Sequence, residues 1–347
     1  MFCKSRVVTL AIVLLSNCHV TYAAEYNSNT LLFPELTYKH LWHQQPKSTK
    51  QNDLAPAITL LHAGRFQSLN ILVEINANEN TQRVERLQLG FDYAGTHKLW
   101  LGRGHTPAGY WNTEYHHGSY LQTSLSRPGP TLTIWPRHLT GLSLEGAFSR
   151  FNETIQYSLL AGLGPTLKNG GLDDVSIIEF DRGHRFGITG RLSYTPDPLG
   201  NTEMGIFLGY YDVNSLDADH GDFGETIAGA FINWEKGKNR FISELFYINS
   251  DLSSATIMGD DYFISWYAQY ERKLTQAFTL YGRIEESLNE NDSSALKVFR
   301  SFTTEGKFIG IRYDFLGNQA FTVEASSIQK MTGQFDGLSL KWNAVFP

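Results

Sequence analysis

The segment from Gly109 to Pro130, GYWNTEYHHGSYLQTSLSRPGP, gathers several side chains that could carry chemistry. His116 and His117 are adjacent and follow Glu114, so imidazole and carboxylate groups are available for metal binding or general-base catalysis. The hydroxyl groups of neighbouring serines could act as nucleophiles beside a histidine. The segment could therefore be an active site, a metal site, or a structural element packed inside a larger fold.

The spacing of these residues argues against chemistry. Adjacent residues of an extended chain point to opposite sides, so His116 and His117 cannot easily bind one metal ion. The segment has no nucleophile-elbow motif and no acid–histidine–serine spacing. We therefore expect no catalytic residue, no metal and no cofactor, and we interpret the two histidines as hydrogen-bonding groups or as groups that line an interior space. Trp111 and its neighbouring tyrosines could stack on sugars, although packing against a wall is the simpler interpretation.

The start of the chain has the pattern of an export signal. Two basic residues precede an apolar run at 7–15, and small residues lead up to Ala23. The apolar run is too short to span a bilayer, so we predict a cleaved signal peptide at 1–23 and a mature protein at 24–347. A lipoprotein signal at Cys18 is the alternative, although an asparagine stands where a small residue is usual.

Charge and cysteine content exclude further classes. The chain has 29 basic and 35 acidic residues, and removal of Lys4 and Arg6 with the signal leaves a net charge of −8. Such a balance excludes a general nucleic-acid binder. The two cysteines, Cys3 and Cys18, both lie in the signal, so disulfides do not hold the mature chain together.

The rest of the sequence alternates between apolar and polar residues with a period of two. Phe186, Ile188, Leu192 and Tyr194, for example, share one face of an extended segment. Segments of 9–14 residues follow one another, longer than the strands of most soluble sheets and close to a tilted membrane strand. The predicted strands are 33–44, 55–63, 66–77, 84–94, 97–105, 139–149, 153–163, 182–195, 201–213, 223–235, 239–250, 261–273, 275–287, 304–315, 318–327 and 334–346.

The connections between these strands alternate between tight turns and longer loops, the longer ones including 78–83, 106–138, 251–260 and 328–333. An even number of strands, aromatic residues near strand ends, and tight turns on one side are typical of bacterial outer-membrane barrels. We therefore predict an all-β, transmembrane antiparallel barrel of about sixteen strands. Fourteen is the fallback, because Pro34 makes the first pair of strands the least secure.

This architecture resembles the bacterial general porins, with an export signal, an aromatic residue near the C-terminus and the longest loop third. The resemblance implies that loop 106–138 folds into the barrel and narrows a passive diffusion channel for small hydrophilic solutes or ions. It also implies an outer-membrane location, contacts with lipid and lipopolysaccharide, and a homotrimer. Two features depart from the family: Glu114 is the only acid of the loop, and Pro347 follows the terminal Phe346.

The resemblance and the alternation together give candidate site residues. The predicted constriction loop contributes Tyr110, Trp111, Glu114, His116, His117, Arg127, Arg137 and His138, and the predicted pore-lining wall contributes Arg86, Arg185, Arg191 and Glu145. Two other functions stay open: an outer-membrane barrel enzyme of the lipid-hydrolase type, and a non-conducting structural or adhesion barrel.

Overall fold

The computed structural model describes most of the chain beyond the predicted signal. The described residues are 26–43, 50–115, 122–168, 171–173, 175, 183–197, 200–216, 221–254, 257–289, 294–299 and 301–347. The predicted signal peptide and the two adjacent histidines, His116 and His117, lie outside them.

Sixteen long strands and two short ones follow the chain. They are β1 (Tyr26–His43), β2 (Lys50–Phe66), β3 (Leu69–Asn78), β4 (Gln82–Ala94), β5 (His97–His105), β6 (His138–Arg150), β7 (Glu153–Leu163), β8 (Thr166–Lys168), β9 (Gly171–Asp173), β10 (Phe186–Thr195), β11 (Glu203–Ser215), β12 (Phe223–Lys236), β13 (Asn239–Ser254), β14 (Ile257–Lys273), β15 (Phe278–Leu288), β16 (Thr303–Phe315), β17 (Gln319–Lys330) and β18 (Gly333–Ala344).

The long strands form a closed antiparallel barrel. Each pairs with its neighbour along the chain, β7 pairs with β10, and β1 pairs with both β2 and β18. The short strands β8 and β9 form a hairpin beside the barrel, and β8 pairs in parallel with the end of β11. The prediction of a sixteen-stranded barrel is therefore confirmed.

The two faces of the barrel wall differ as the alternation predicts. On β15, Leu280 and Ile284 are 40% and 50% exposed, whereas Arg283 between them is 1% exposed. The same alternation on the neighbouring strands gives an outer face of exposed apolar side chains and an inner face of polar ones. An apolar exterior around a polar interior is the pattern of a barrel that stands in lipid.

Several connections differ from the sequence prediction. The first tight turn lies at 67–68 rather than 64–65, so β1 and β2 extend beyond the predicted strands. The predicted loop 78–83 is reduced to a turn at 79–81, and two further predicted loops, 251–260 and 328–333, are mostly strand where they are described. The reason is that ladder hydrogen bonds continue through polar residues there, and pairing with a neighbouring strand outweighs the weak β propensity of Asn, Asp and Ser.

Three short helices lie in the loops: α1 (Trp111–Glu114), α2 (Gly129–Thr133) and α3 (Ser294–Val298). In the described part of the chain, no helix has the length and apolar character needed to cross a membrane. The connection from β5 to β6 holds α1 and α2 and spans 106–137, so His138 is the first residue of β6 rather than the last of the loop.

Candidate functional site

The connection between β5 and β6, residues 106–137, is called here the inner segment. Its two ends are held together at Thr106. The side chain of Asn112 donates a hydrogen bond to the Thr106 carbonyl oxygen at 2.8 Å, and the Trp135 indole donates to the Thr106 hydroxyl at 2.7 Å. Gly109 turns the chain with a φ of +63°, and a Cβ there would overlap the carboxylate of Glu244. Only glycine therefore allows this close approach to β13.

Glu244 on β13 anchors the start of α1. Its carboxylate accepts the backbone N–H groups of Tyr110 and Trp111 at 2.9 and 2.8 Å, and the Tyr267 hydroxyl at 2.5 Å. Glu244 itself is buried, with 1% of its surface exposed. A carboxylate beside the first N–H groups of a helix satisfies donors that the helix itself leaves unpaired. The contact joins the inner segment to a strand five positions around the barrel from β6.

Three more wall glutamates hold the second half of the inner segment. Glu324 on β17 accepts the backbone N–H of Leu125 at 3.1 Å and the hydroxyl of Ser126. Glu285 on β15 accepts the backbone N–H of Gly129 at 3.0 Å. A fourth contact is the hydrogen bond from the Thr123 hydroxyl to Glu271 on β14, at 2.8 Å.

Wall arginines complete the attachment by donating to the inner segment. Arg283 donates to the Ser126 carbonyl oxygen at 2.7 Å, and Arg312 donates to the Gln122 carbonyl oxygen at 2.6 Å. Arg240 donates to the Tyr110 hydroxyl at 2.8 Å. Carboxylates on the wall thus meet N–H groups of the segment, and guanidinium groups on the wall meet its oxygen atoms.

The aromatic residues of the inner segment are packed rather than exposed. Trp111 is 0% exposed and makes an edge contact with Tyr115 at 4.9 Å between ring centroids. The Arg283 guanidinium lies 5.6 Å from the Trp111 ring. Tyr110 is also buried, and burial raises the pKa of both the Tyr110 and Tyr115 phenols, so both stay neutral. Trp111 therefore presents no surface for stacking on a solute.

Glu114, at the end of α1, has an exposed side chain. Its side chain reaches solvent, but surrounding protein removes part of its hydration, and this desolvation raises the pKa of the carboxyl. The nearby Glu203 carboxylate raises it further, whereas Arg191 and Arg240 oppose the shift. Glu114 therefore takes up a proton at a higher pH than an ordinary carboxylate.

Three further predicted residues of the loop are described, namely Arg127, Arg137 and His138. Arg127 and Arg137 are half-buried, and the Arg137 carbonyl oxygen accepts the backbone N–H of Thr106 at 2.9 Å. His138 is fully buried on β6, where its Nε2 lies 3.1 Å from a carboxylate oxygen of Glu85. No placement of His116 or His117 is described.

A cavity of about 430 Å³ lies between the inner segment and strands β3 to β7 and β10. Four of the predicted residues line it together, namely Glu114 on the segment and Arg86, Glu145 and Arg191 on the wall. Two of them form short ion pairs, Arg86 with Glu74 at 2.7 Å and Arg191 with Glu203 at 2.7 Å. The cavity thus brings four of the sequence-predicted charges together.

The predicted wall residue Arg185 does not line this cavity. It lies just before β10, where its guanidinium pairs with Asp222 and lies 3.9 Å from Asp212. The alternation that assigned it to the wall continues only from Phe186, because β10 begins there. Arg185 thus holds a loop end beside β11.

Lys98 and Trp100 line the cavity from β5 but were not among the predicted site residues. Their position on the inner face could have been predicted, because both alternate with the apolar residues Leu99 and Leu101. It also gave no role to Arg240, whose guanidinium contacts Tyr110. Within the described residues, no group of three or more His, Cys, Asp or Glu side chains could hold a metal ion.

Comparison with known proteins places this fold. The sequence matches no family model and no curated protein. Solved structures do match, at low identity. An anion-selective porin from Comamonas acidovorans is 10% identical, with a TM-score of 0.63 over 93% of this chain and 100% of that one. The fold is a porin-type barrel.

Two further structures agree with this assignment. The outer-membrane channel DcaP of Acinetobacter baumannii is 10% identical, with a TM-score of 0.60 over 94% of this chain and 99% of that one. OmpF of Salmonella typhi is 13% identical, with a TM-score of 0.58 over 93% and 98% of the two chains. The resemblance of the sequence to a porin-like barrel is thereby confirmed for the fold.

Proposed function

We propose that the chain is an outer-membrane porin, a passive diffusion channel for small hydrophilic solutes that the inner segment narrows. The observation that carries the proposal is the set of hydrogen bonds that backbone N–H groups of the segment donate to carboxylates on wall strands β13, β15 and β17. These strands lie on the side of the barrel opposite β5 and β6, where the segment begins and ends.

The geometry of a closed barrel supports a path through the interior. Three of the wall residues that contact the segment, Glu244, Glu324 and Arg283, are each 1% exposed and belong to the polar inner face. A segment that leaves β5 and contacts the inner face of β15 fits such a path, and these contacts are what supports the proposed constriction. Sixteen strands enclose a lumen that wall side chains alone do not fill, so there is room for the segment.

The proposed passage is the cavity on the other side of the segment. It is bounded by β3 to β7 and β10, where we find Glu114 on the segment and Arg86 and Arg191 on the wall. Transport then needs no cofactor and no energy coupling, because size and the charges of the passage decide what crosses. We also propose that the barrel has no enzymatic activity.

The outer surface supports the proposed location. Exposed apolar side chains cover the outer face, and Tyr93, Phe148, Tyr270 and Tyr313 lie near the tight-turn ends of their strands. An apolar band bordered by aromatic residues fits the outer membrane, with lipid and lipopolysaccharide as neighbours. One similar structure, OmpT of Vibrio cholerae, is described in a trimer form, and we propose a homotrimer here as well.

Swelling of proteoliposomes tests the proposed function. Vesicles that contain the folded barrel are diluted into isotonic solutions of uncharged solutes of increasing size. We expect swelling whose rate falls steeply with solute size, because a narrow passage excludes large solutes. Vesicles that swell no faster than protein-free vesicles, although the barrel is folded and inserted, would rule out the channel.

A further inference from the structure

Many charges of the inner face pair with one another within the wall. Among the described residues, seven ion pairs at 2.7 to 3.7 Å join side chains of the same strand, of neighbouring strands or of strands two positions apart: Arg65–Asp92, Arg86–Glu74, Arg191–Glu203, Lys273–Glu235, Arg283–Glu285, Arg312–Asp314 and Lys341–Glu35. A close pair acts as a small dipole, so its field fades within a few ångströms and attracts neither sign of ion strongly.

The lining of the cavity follows the same rule. Its basic side chains are Arg86, Lys98 and Arg191, and its acidic ones are Glu114 and Glu145. Glu74 and Glu203 add two carboxylates that pair with the arginines at 2.7 Å. Three cations thus face four anions, and a charged solute that gives up water here gains little Coulomb energy in return.

Trp100 gives the cavity a flat apolar surface. The indole lies directly against Gly90 on the neighbouring strand, where any Cβ would overlap the ring. Its Nε1 donates to Glu145 at 2.8 Å, which fixes the orientation of the ring, and the side chain is half-buried. The ammonium group of Lys98 lies 5.8 Å from the ring centroid.

Hydrogen-bonding groups surround this aromatic surface. Gln88, Ser143, Gln156 and Ser158 line the same cavity and bear no charge. A broad ring face flanked by amide and hydroxyl groups suits a solute with one apolar face and a rim of hydroxyl groups.

We infer that the passage favours uncharged polyhydroxylated solutes, that is small sugars and polyols, with Trp100 as the surface on which they stack. The inference rests on the proposed channel and names its substrate class. It gives Trp100 the role that the sequence analysis considered for Trp111, whose ring is buried.

The test compares three solutes of nearly equal size: glucose, its anionic relative gluconate and its cationic relative glucosamine. Flux through the wild-type barrel in proteoliposomes should be fastest for glucose. Faster flux of either charged solute overturns the inference but leaves the channel intact, whereas no flux of any solute refutes the proposed function itself.

A pair of variants tests the role of Trp100. Glucose should reduce the ion current of the wild-type channel, and W100A should weaken this block about fivefold, since a stacked sugar face buries roughly 40 Å² of apolar surface. W342A, on the outer face of β18, is the matched control and should leave the block unchanged. Equal block in W100A and wild type would overturn the role of Trp100. If W100A does not assemble, the comparison of the three solutes decides alone.

Discussion

The carboxylate of Glu244 on β13 accepts a hydrogen bond from the backbone N–H of Trp111 at 2.8 Å, and this bond joins β13 to the connection between β5 and β6. The residues are 133 positions apart in the chain, and both are at most 1% exposed. An acidic side chain of the wall therefore fixes the start of α1 by its backbone. Because this anchor does not depend on the side chain of the segment residue, removal of the carboxylate is the most direct way to loosen the segment.

Replacement of Glu244 should therefore loosen the inner segment. E244A leaves two backbone N–H groups and the Tyr267 hydroxyl without their acceptor, and each buried unpaired group costs about 1–3 kcal/mol. We expect a lower midpoint of denaturant unfolding and a noisier single-channel current. E244Q keeps one acceptor oxygen and should be intermediate. E286Q, an exposed carboxyl on the outer face of β15, is the matched control. If the single-channel current of E244A is as quiet as that of the wild type, the anchor is dispensable.

Deletion of residues 110–130 should enlarge the channel without preventing assembly. The sixteen strands pair without any residue of the inner segment, so the ladder of hydrogen bonds remains complete. Glu244, Glu285 and Glu324 lose their partners in the segment, keep their partners on the wall and gain water in the widened lumen. Single-channel conductance should rise clearly above that of the wild type. An unchanged or smaller conductance in a correctly folded deletion variant would refute the constriction.

The ion selectivity should shift with pH through Glu114. The pKa of its carboxyl is raised, so Glu114 loses its negative charge at a higher pH than an ordinary carboxylate as the pH falls. Loss of this charge beside Arg191 favours anions. Reversal potentials in a salt gradient should indicate weak selectivity at pH 7.5 and a shift towards anions at pH 5.5. E114Q should reduce the shift, and a clear cation preference at both pH values would refute this account.

The closed barrel should resist unfolding in mild detergent. β1 pairs with β18, so no long strand leaves an unpaired edge. The purified protein should migrate differently on gels before and after boiling, and its circular dichroism should indicate β structure. Identical migration of a verified folded sample would be inconsistent with this barrel.

The strands could be predicted from the sequence because each of them alternates between lipid and lumen. The alternation placed Glu145 on the inner face, and Glu244 follows the same alternation on β13, so the pattern alone does not distinguish the two residues. Glu145 binds the Trp100 indole within the wall, whereas Glu244 binds the inner segment. That difference depends on the path of the segment and on which strands face each other across the barrel. The alternation within a single strand gives no information on either.

Loop lengths were predicted less well for a related reason. The stretch 251–260 is polar and was predicted to be a loop, yet Asp251 and Asp260 are directly opposite each other in the ladder of β13 and β14. Where strands extend beyond the lipid, they need not keep an apolar face, so the alternation of apolar and polar residues that predicts a strand is lost. Pairing continues there because the backbone groups still find partners.

Planar-bilayer recording of the purified barrel tests the central claim most directly. If the inner segment narrows an open lumen, the folded protein should insert with stepwise increases in ion conductance, each of similar size. Silence of an inserted, heat-modifiable barrel would contradict the claim and would instead indicate a lumen that is blocked.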